Sequence, residues 1–171
     1  DTILLGPDAN ELDQIIKLLH NAFKISDEGD LSDYLGIKIE KLPDGRIQMT
    51  QPHLIQSILH DLRLQSDKSK ATPVPSLTTK LLTPDIDGAP FDGHFDYRAV
   101  IGKLNYLEKS TRPEIAYAVH QCARFSSAPR HSHGEAIKRI GRYLLGTIDK
   151  GLIMQPTTES FDCWVDASHA G

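Results

Sequence analysis

From Asp96 to Gly146 the chain runs three times through one pattern, a polar helix start followed by apolar side chains at three- and four-residue spacing. Asp96 stands before Val100, Ile101, Leu104 and Leu107, with Phe95 and Val100 placed as a hydrophobic staple across the start. "TRPE" (111–114) reads as a capping box ahead of Ile115, Ala116, Val119 and Ala123. "SHGE" (132–135) reads the same way ahead of Ile137, Ile140 and Leu144, with Gly146 as the stop. Spacing of this kind gives each helix one apolar stripe. Three such stripes in succession must bury against one another, so the second half is helical.

The first half mixes periods. The run "TILLG" (2–6) reads as a buried strand, and Asp8 with Glu11 starts a helix through Leu12, Ile15, Ile16, Leu19 and Phe23. "LGIKIEKLPDGRIQMTQ" alternates Leu35, Ile37 and Ile39 on one face, turns at "PDG", and returns through Ile47 and Met49, which predicts a hairpin. Pro52 opens a helix with Leu54, Ile55, Ile58, Leu59 and Leu62 inward. Residues 66–94 are rich in Pro, Ser, Thr, Asp and Gly and read as an extended linker dividing the chain in two. Two short strands, "GLIMQ" and "FDCWV", follow the last helix, so the fold class is α+β.

Hydrophobic residues make up 39% of the chain, enough for a core, and no apolar run reaches the length of a membrane span. Charge is unevenly spread. Residues 1–40 carry nine acidic and three basic side chains, whereas residues 96–150 carry five acidic and ten basic. A basic segment of that kind suits a polyanionic partner, although on charge alone an ordinary solvated helix face accounts for it better. Cys122 and Cys163 form no CxxC pair and suit a reducing compartment.

The candidate chemistry is sparse. Lys138, Arg139 and Arg142 lie within one turn of each other, and Lys138 and Arg142 are like charges four residues apart. That arrangement is costly unless something negative lies opposite, and phosphates would serve. The plainer reading pairs Glu135 with Arg139 on a solvated face. "HQC" (120–122) and "HSH" (131–133) suggest zinc, but His120 and Cys122 point different ways on a helix, so a core cysteine and a surface histidine fit better. Asp1 and Asp166 each stand at the end of an apolar strand, where Mg²⁺-holding carboxylates are mounted, yet metal-dependent phosphoryl chemistry needs several converging carboxylates. No GxSxG, P-loop, HExxH or GxGxxG is present.

Several blocks in fixed order resemble copia-type LTR retrotransposon polyproteins, in the region that follows the reverse-transcriptase palm. These are "GDLSDYLGIKIE" (29–40), the Thr-Pro linker "ATPVPS", "GKLNYL" (102–107), "TRPEI" (111–115) and "KRIGRYLLGT" (138–147). The resemblance implies that Asp1 matches the second aspartate of a Tyr-x-Asp-Asp turn. It likewise implies that "WVDASHAG" opens a ribonuclease H domain with Asp166 as its first catalytic carboxylate. Two positions depart from the family pattern. Gly134 stands where the family often has Trp after His133, and His169 stands where its terminal Trp-Ala-Gly begins; lost aromatic packing is expected at Gly134.

The resemblance further implies an incomplete palm of strand, helix and hairpin, with the start of the thumb, over residues 1–65. A linker (66–94), a helical thumb or connection-like segment (95–150) and the first strands of a ribonuclease H-like domain (151–171) follow. The parent would be an RNA-directed DNA polymerase with ribonuclease H activity, using Mg²⁺ and deoxynucleotides on an RNA or DNA template-primer. It would work beside the remaining polyprotein domains, off any membrane, in cytoplasmic virus-like particles or in the nucleus. Arg112, Lys138, Arg139 and Arg142 would contact template-primer phosphates, and Asp1 and Asp166 would be catalytic and metal-binding. With one carboxylate per site, this chain alone is expected not to polymerise or cleave. The alternative is a non-catalytic nucleic-acid-binding or structural remnant of a retroelement.

Overall fold

The computed structural model describes residues 2–64, 71–76 and 81–155. Helix α1 spans Ala9–Ala22, and Asp8 caps it by accepting the Asn10 N–H at 2.8 Å. Strands β1 (Asp33–Tyr34), β2 (Ile37–Lys41) and β3 (Ile47–Thr50) follow, then α2 (Pro52–Asp61) with proline in its first turn. After the intervening segment come α3 (Tyr97–Ser110), a 3-10 turn (Pro113–Ile115), α4 (Ala116–Ala123), α5 (His131–Leu145) and β4 (Leu152–Met154). The fold is α+β, with five helices and an antiparallel four-stranded sheet of order β1-β2-β3-β4 among the described residues.

Helices α2 to α5 form the core. Ile55, Ile58, Val100, Leu104, Leu107, Ile115, Val119, Ile137, Ile140 and Leu144 are all 0% exposed. The apolar stripes read from the sequence therefore meet as expected, and the Asp96 cap holds, its carboxylate accepting the Ala99 N–H at 2.9 Å. A larger difference concerns the division of the chain. Helix α2, from the first half, packs on α3 and α5, so the core is built from both sides of the expected linker. Lys103 on α3 ties the two sides, donating to Asp61 Oδ2 at 2.6 Å and Ser57 Oγ at 2.8 Å on α2.

Residues 89–91 of the expected linker also dock on the helical core. Phe91 N–H donates to the Pro129 carbonyl at 3.2 Å and His131 N–H to the Ala89 carbonyl at 2.9 Å, pairing residues 89–91 with the entry to α5. Phe91 and Phe95 meet edge-on at 4.8 Å between ring centres.

Other expectations are corrected. Residues 2–6 form no strand, since no ladder partner for them exists among the described residues, and Leu5 is 85% exposed. Leu35 is not a strand residue on the Ile37 and Ile39 face. It occupies the two-residue turn between β1 and β2 with φ of +51°, beside Gly36 at +75°, the geometry of a hairpin whose two central residues are left-handed. "TRPE" does not close as a capping box, because the Thr111 hydroxyl donates instead to Gln51 Oε1 at 2.9 Å and Glu114 accepts from Arg112. Helix α5 starts one residue before the expected Ser132 cap. The ring of His133 takes the cap role, its Nδ1 accepting the Arg130 N–H at 2.9 Å.

Register shows what the sheet offers. Tyr34 opposes Ile37, Ile39 opposes Met49, Ile47 opposes Met154, and Met49 opposes Leu152, so these seven side chains share one face. None of them is buried. Helix α1 likewise buries no residue. The strand expected at 151–155 is present as β4, and it joins the hairpin's sheet. The strand expected at 161–165 lies outside the described residues.

Candidate nucleic-acid interface

Helix α5 carries the basic cluster, and its sequence explains its posture. His133, Gly134, Ile137, Ile140, Gly141 and Leu144 are buried, which leaves Glu135, Lys138, Arg139 and Arg142 on the half-exposed side. Two glycines on the inner side let α5 come close to its neighbours. A Cβ at Gly134 would lie 2.6 Å from the Phe91 ring, and one at Gly141 would lie 2.6 Å from Leu62. The aromatic packing expected to be lost at Gly134 is thus supplied from elsewhere: the Phe91 ring lies over the glycine.

Glu135 sits between two of the three basic residues. Lys138 Nζ reaches its Oε1 at 3.0 Å and Arg142 Nη2 its Oε2 at 3.3 Å. Partial burial pushes the Glu135 carboxyl up, but the hydrogen bonds and charges of Lys138 and Arg142 outweigh it and hold the group below the usual range. The like-charge pair is therefore bridged by a carboxylate within the helix, and the bridge runs to Lys138 and Arg142 rather than to Arg139. Lys138 and Arg142 keep about a quarter of their side-chain surface exposed, at 24% and 27%.

Arg112 is placed differently. Its side chain is 1% exposed, with Nε donating to Glu114 Oε1 at 2.6 Å and Nη1 and Nη2 donating to the Thr147 carbonyl and hydroxyl at 2.9 and 2.7 Å. The guanidinium also lies 5.6 Å from the Tyr143 ring centre. In this fold Arg112 is an interior tie between the α3–α4 corner and the end of α5.

Arg139 faces a cleft between α4, α5 and residues 75–76 and 81–85, with its Nε buried and unpartnered among the described residues. Nothing in the linear pattern points to this cleft, because part of its wall comes from the proline-rich segment.

Asp1 and Asp166 lie outside the described residues. Among the described residues no cluster of three or more His, Cys, Asp and Glu could hold a metal ion. Cys122 is 1% exposed, and burial pushes its thiol up to about 12. His120 is 64% exposed in its side chain and faces Glu108, whose Oε1 lies 2.8 Å from its Nε2. The core cysteine and a surface His120 are therefore found as expected, whereas His133 of "HSH" is fully buried, its Nε2 2.8 Å from the Thr83 carbonyl oxygen.

Over its whole length the chain is 32% identical to the retrovirus-related Pol polyprotein from transposon RE1 of Arabidopsis thaliana, and 31% identical to that from transposon RE2 of the same plant. The chain belongs to the copia-type retrotransposon polyproteins. It spans 11% and 12% of the length of those two relatives. It is also 29% identical, again over its full length, to an uncharacterized mitochondrial protein of Arabidopsis thaliana, of which it covers 69%. No family model and no solved structure matches the retrotransposon chain. None of its described helices is long and apolar enough to cross a membrane.

Proposed function

We propose that this retrotransposon chain is the part of a reverse transcriptase that follows the polymerase metal site and runs to the start of ribonuclease H. In this reading residues 1–65 end the palm and begin the thumb, 66–94 connect, 95–150 form a helical thumb or connection, and 151–171 open the ribonuclease H-like domain. The intact polyprotein would be an RNA-directed DNA polymerase working in virus-like particles or in the nucleus. Asp1 and Asp166 would each supply one carboxylate to a Mg²⁺ site, where the ions offset charge on the attacking and leaving oxygens of deoxynucleotide transfer and of RNA cleavage. Lys138 and Arg142, with Arg139 beside them, would meet template-primer phosphates.

The single observation that carries the reading is the match to Pol polyproteins over the full length of the chain. Its test has two arms on the 171-residue chain. Primer extension with Mg²⁺ and deoxynucleotides should give no incorporation, because one carboxylate cannot assemble a two-metal centre; incorporation would overturn that account. Filter binding to a primer-template duplex should weaken steeply with salt, and Lys138→Gln with Arg142→Gln should flatten the slope by about two.

A second reading is a structural or non-catalytic retroelement remnant. It is favoured by the bonding of Lys138 and Arg142 to Glu135 and by the burial of Arg112. Absence of any duplex binding at low salt would select it.

A further inference from the structure

The cleft that Arg139 faces has the size and lining of a small-molecule site. Its volume is about 440 Å³, within the range of roughly 300–1,000 Å³ that ligand sites occupy. Leu81 and Leu82 form one side, Ala118 and Cys122 of α4 the back, and Ala136 and Ile140 of α5 the floor. The polar groups at its rim are mostly spent. Ser132 donates to Asp85, and Glu135 holds Arg142. Arg139 differs, because its Nε is buried with no acceptor among the described residues. A guanidinium N–H out of water and without an acceptor is unfavourable, and an anionic oxygen entering the cleft would remove that penalty.

The geometry points to a binding site for a small ligand that joins one phosphate or carboxylate to a flat apolar body. The anion would pair with Arg139, whose planar fork matches such groups. The body would lie against Leu81, Leu82 and Ala136, which stay accessible over the buried Ala118, Cys122 and Ile140. Tyr117, 52% exposed at the mouth, offers a ring for the outer edge. Arg139 is shared with the proposed template-primer contacts and Arg142 also lines the cleft, whereas Lys138 does not, and the inference stands without the polymerase reading.

The test titrates the 171-residue chain with 1-naphthyl phosphate, following amide shifts by NMR and affinity by calorimetry, with 1-naphthoate, 1-naphthol and inorganic phosphate as separate arms. The expected result is saturable binding that moves the Ala118, Cys122 and Ala136 amides. 1-Naphthol and inorganic phosphate should each bind at least about tenfold more weakly, since each lacks one half of the recognised pair. Comparing naphthyl phosphate with naphthoate identifies the preferred anion. Arg139→Met should weaken naphthyl phosphate binding about tenfold or more, and Arg139→Lys less. Ala136→Phe, which fills the cleft and keeps Arg139, should abolish the shifts and covers the case in which Arg139→Met does not fold. Equal affinity for naphthol and naphthyl phosphate overturns the inference, as does unchanged binding in either Arg139→Met or Ala136→Phe, or shifts confined to the Lys138 surface.

Discussion

Arg112 closes on Thr147 at two points at once, Nη1 on the carbonyl at 2.9 Å and Nη2 on the hydroxyl at 2.7 Å. With Glu114 on Nε and Tyr143 beneath, this fixes the end of α5 to the corner between α3 and α4. Removing this buried guanidinium leaves the Thr147 hydroxyl oxygen without its donor and the Thr147 carbonyl with the Lys150 N–H alone. Arg112→Met should lower unfolding stability by about 2–4 kcal/mol in urea denaturation. Thr147→Val, which keeps the carbonyl, should cost about 1 kcal/mol. The double variant should lose less than the sum, since both changes break the same bond. A loss under 0.5 kcal/mol for Arg112→Met, about the size of an ordinary surface substitution, would place the residue outside the stability framework.

The Arg112 case shows where sequence reading stops. The 3.6-residue spacing located α2 to α5, because burial of a helix stripe leaves a periodic trace at every fourth position or so. The β2–β3 hairpin is legible for a related reason, since Ile37, Ile39, Ile47 and Met49 alternate, whereas β1 and the pairing of β4 with β3 are not. Burial of a single arginine leaves no period. Arg112 sits in a polar-looking "TRPE", and only the return of Thr147 from 35 residues away makes it interior. The same holds for the cleft at Arg139, part of whose wall comes from a segment with no periodicity. Capping was legible where one carboxylate acts locally, at Asp8 and Asp96. It was misread at Thr111, where a distant residue, Gln51, captured the hydroxyl.

Gly134 and Phe91 make a second test of packing. The Phe91 ring lies where a Cβ at position 134 would be, with carbons at 2.6 and 2.8 Å. The ring is wedged among Phe95, Tyr97 and His94 and cannot swing away freely. Gly134→Ala should therefore destabilise by about 1–3 kcal/mol, although alanine is the better helix former. Combining it with Phe91→Leu should recover part of the loss, measured as a rise in the denaturation midpoint over Gly134→Ala alone. If Gly134→Ala is instead stabilising, the ring is not fixed there.

Alkaline pH reports on the α3–α4 contact. Burial pushes the Cys122 thiol up to about 12, and the Tyr97 hydroxyl, raised first by burial and then by the neighbouring thiol, donates to the Cys122 carbonyl at 2.8 Å. In the unfolded chain a cysteine such as Cys122 ionises at about 8.5. A group raised on folding contributes stability that is complete below the unfolded value and is lost as pH climbs toward the folded one. Stability should therefore fall from about pH 9 upward, by at most about 1.4 kcal/mol per pH unit for this one group. Cys122→Ala should flatten the decline between pH 9 and 10, below the range where the tyrosines take over. An unchanged slope in that variant would mean the thiol is not the group responsible.

The turn between β1 and β2 holds a residue in the wrong chemistry for its backbone. Leu35 has φ of +51° and is 55% exposed, so its branched side chain gains little from the fold while its Cβ crowds the carbonyl. What keeps it there is its neighbour Gly36 at +75°, which completes the two-residue turn, and the Tyr106 hydroxyl, which donates to the Leu35 carbonyl at 2.7 Å. Neither support involves the leucine side chain. Leu35→Asn should therefore stabilise the chain by about 1 kcal/mol, because asparagine visits the left-handed region at lower cost and keeps the carbonyl bond. Tyr106→Phe, which removes that bond from outside the turn, should act in the opposite direction and by about the same amount. The check is a pair of thermal melts: asparagine raising the midpoint and phenylalanine lowering it would show a strained turn held by α3. A lower midpoint for Leu35→Asn would mean instead that the leucine side chain is held by apolar contact, outweighing the relief of its backbone.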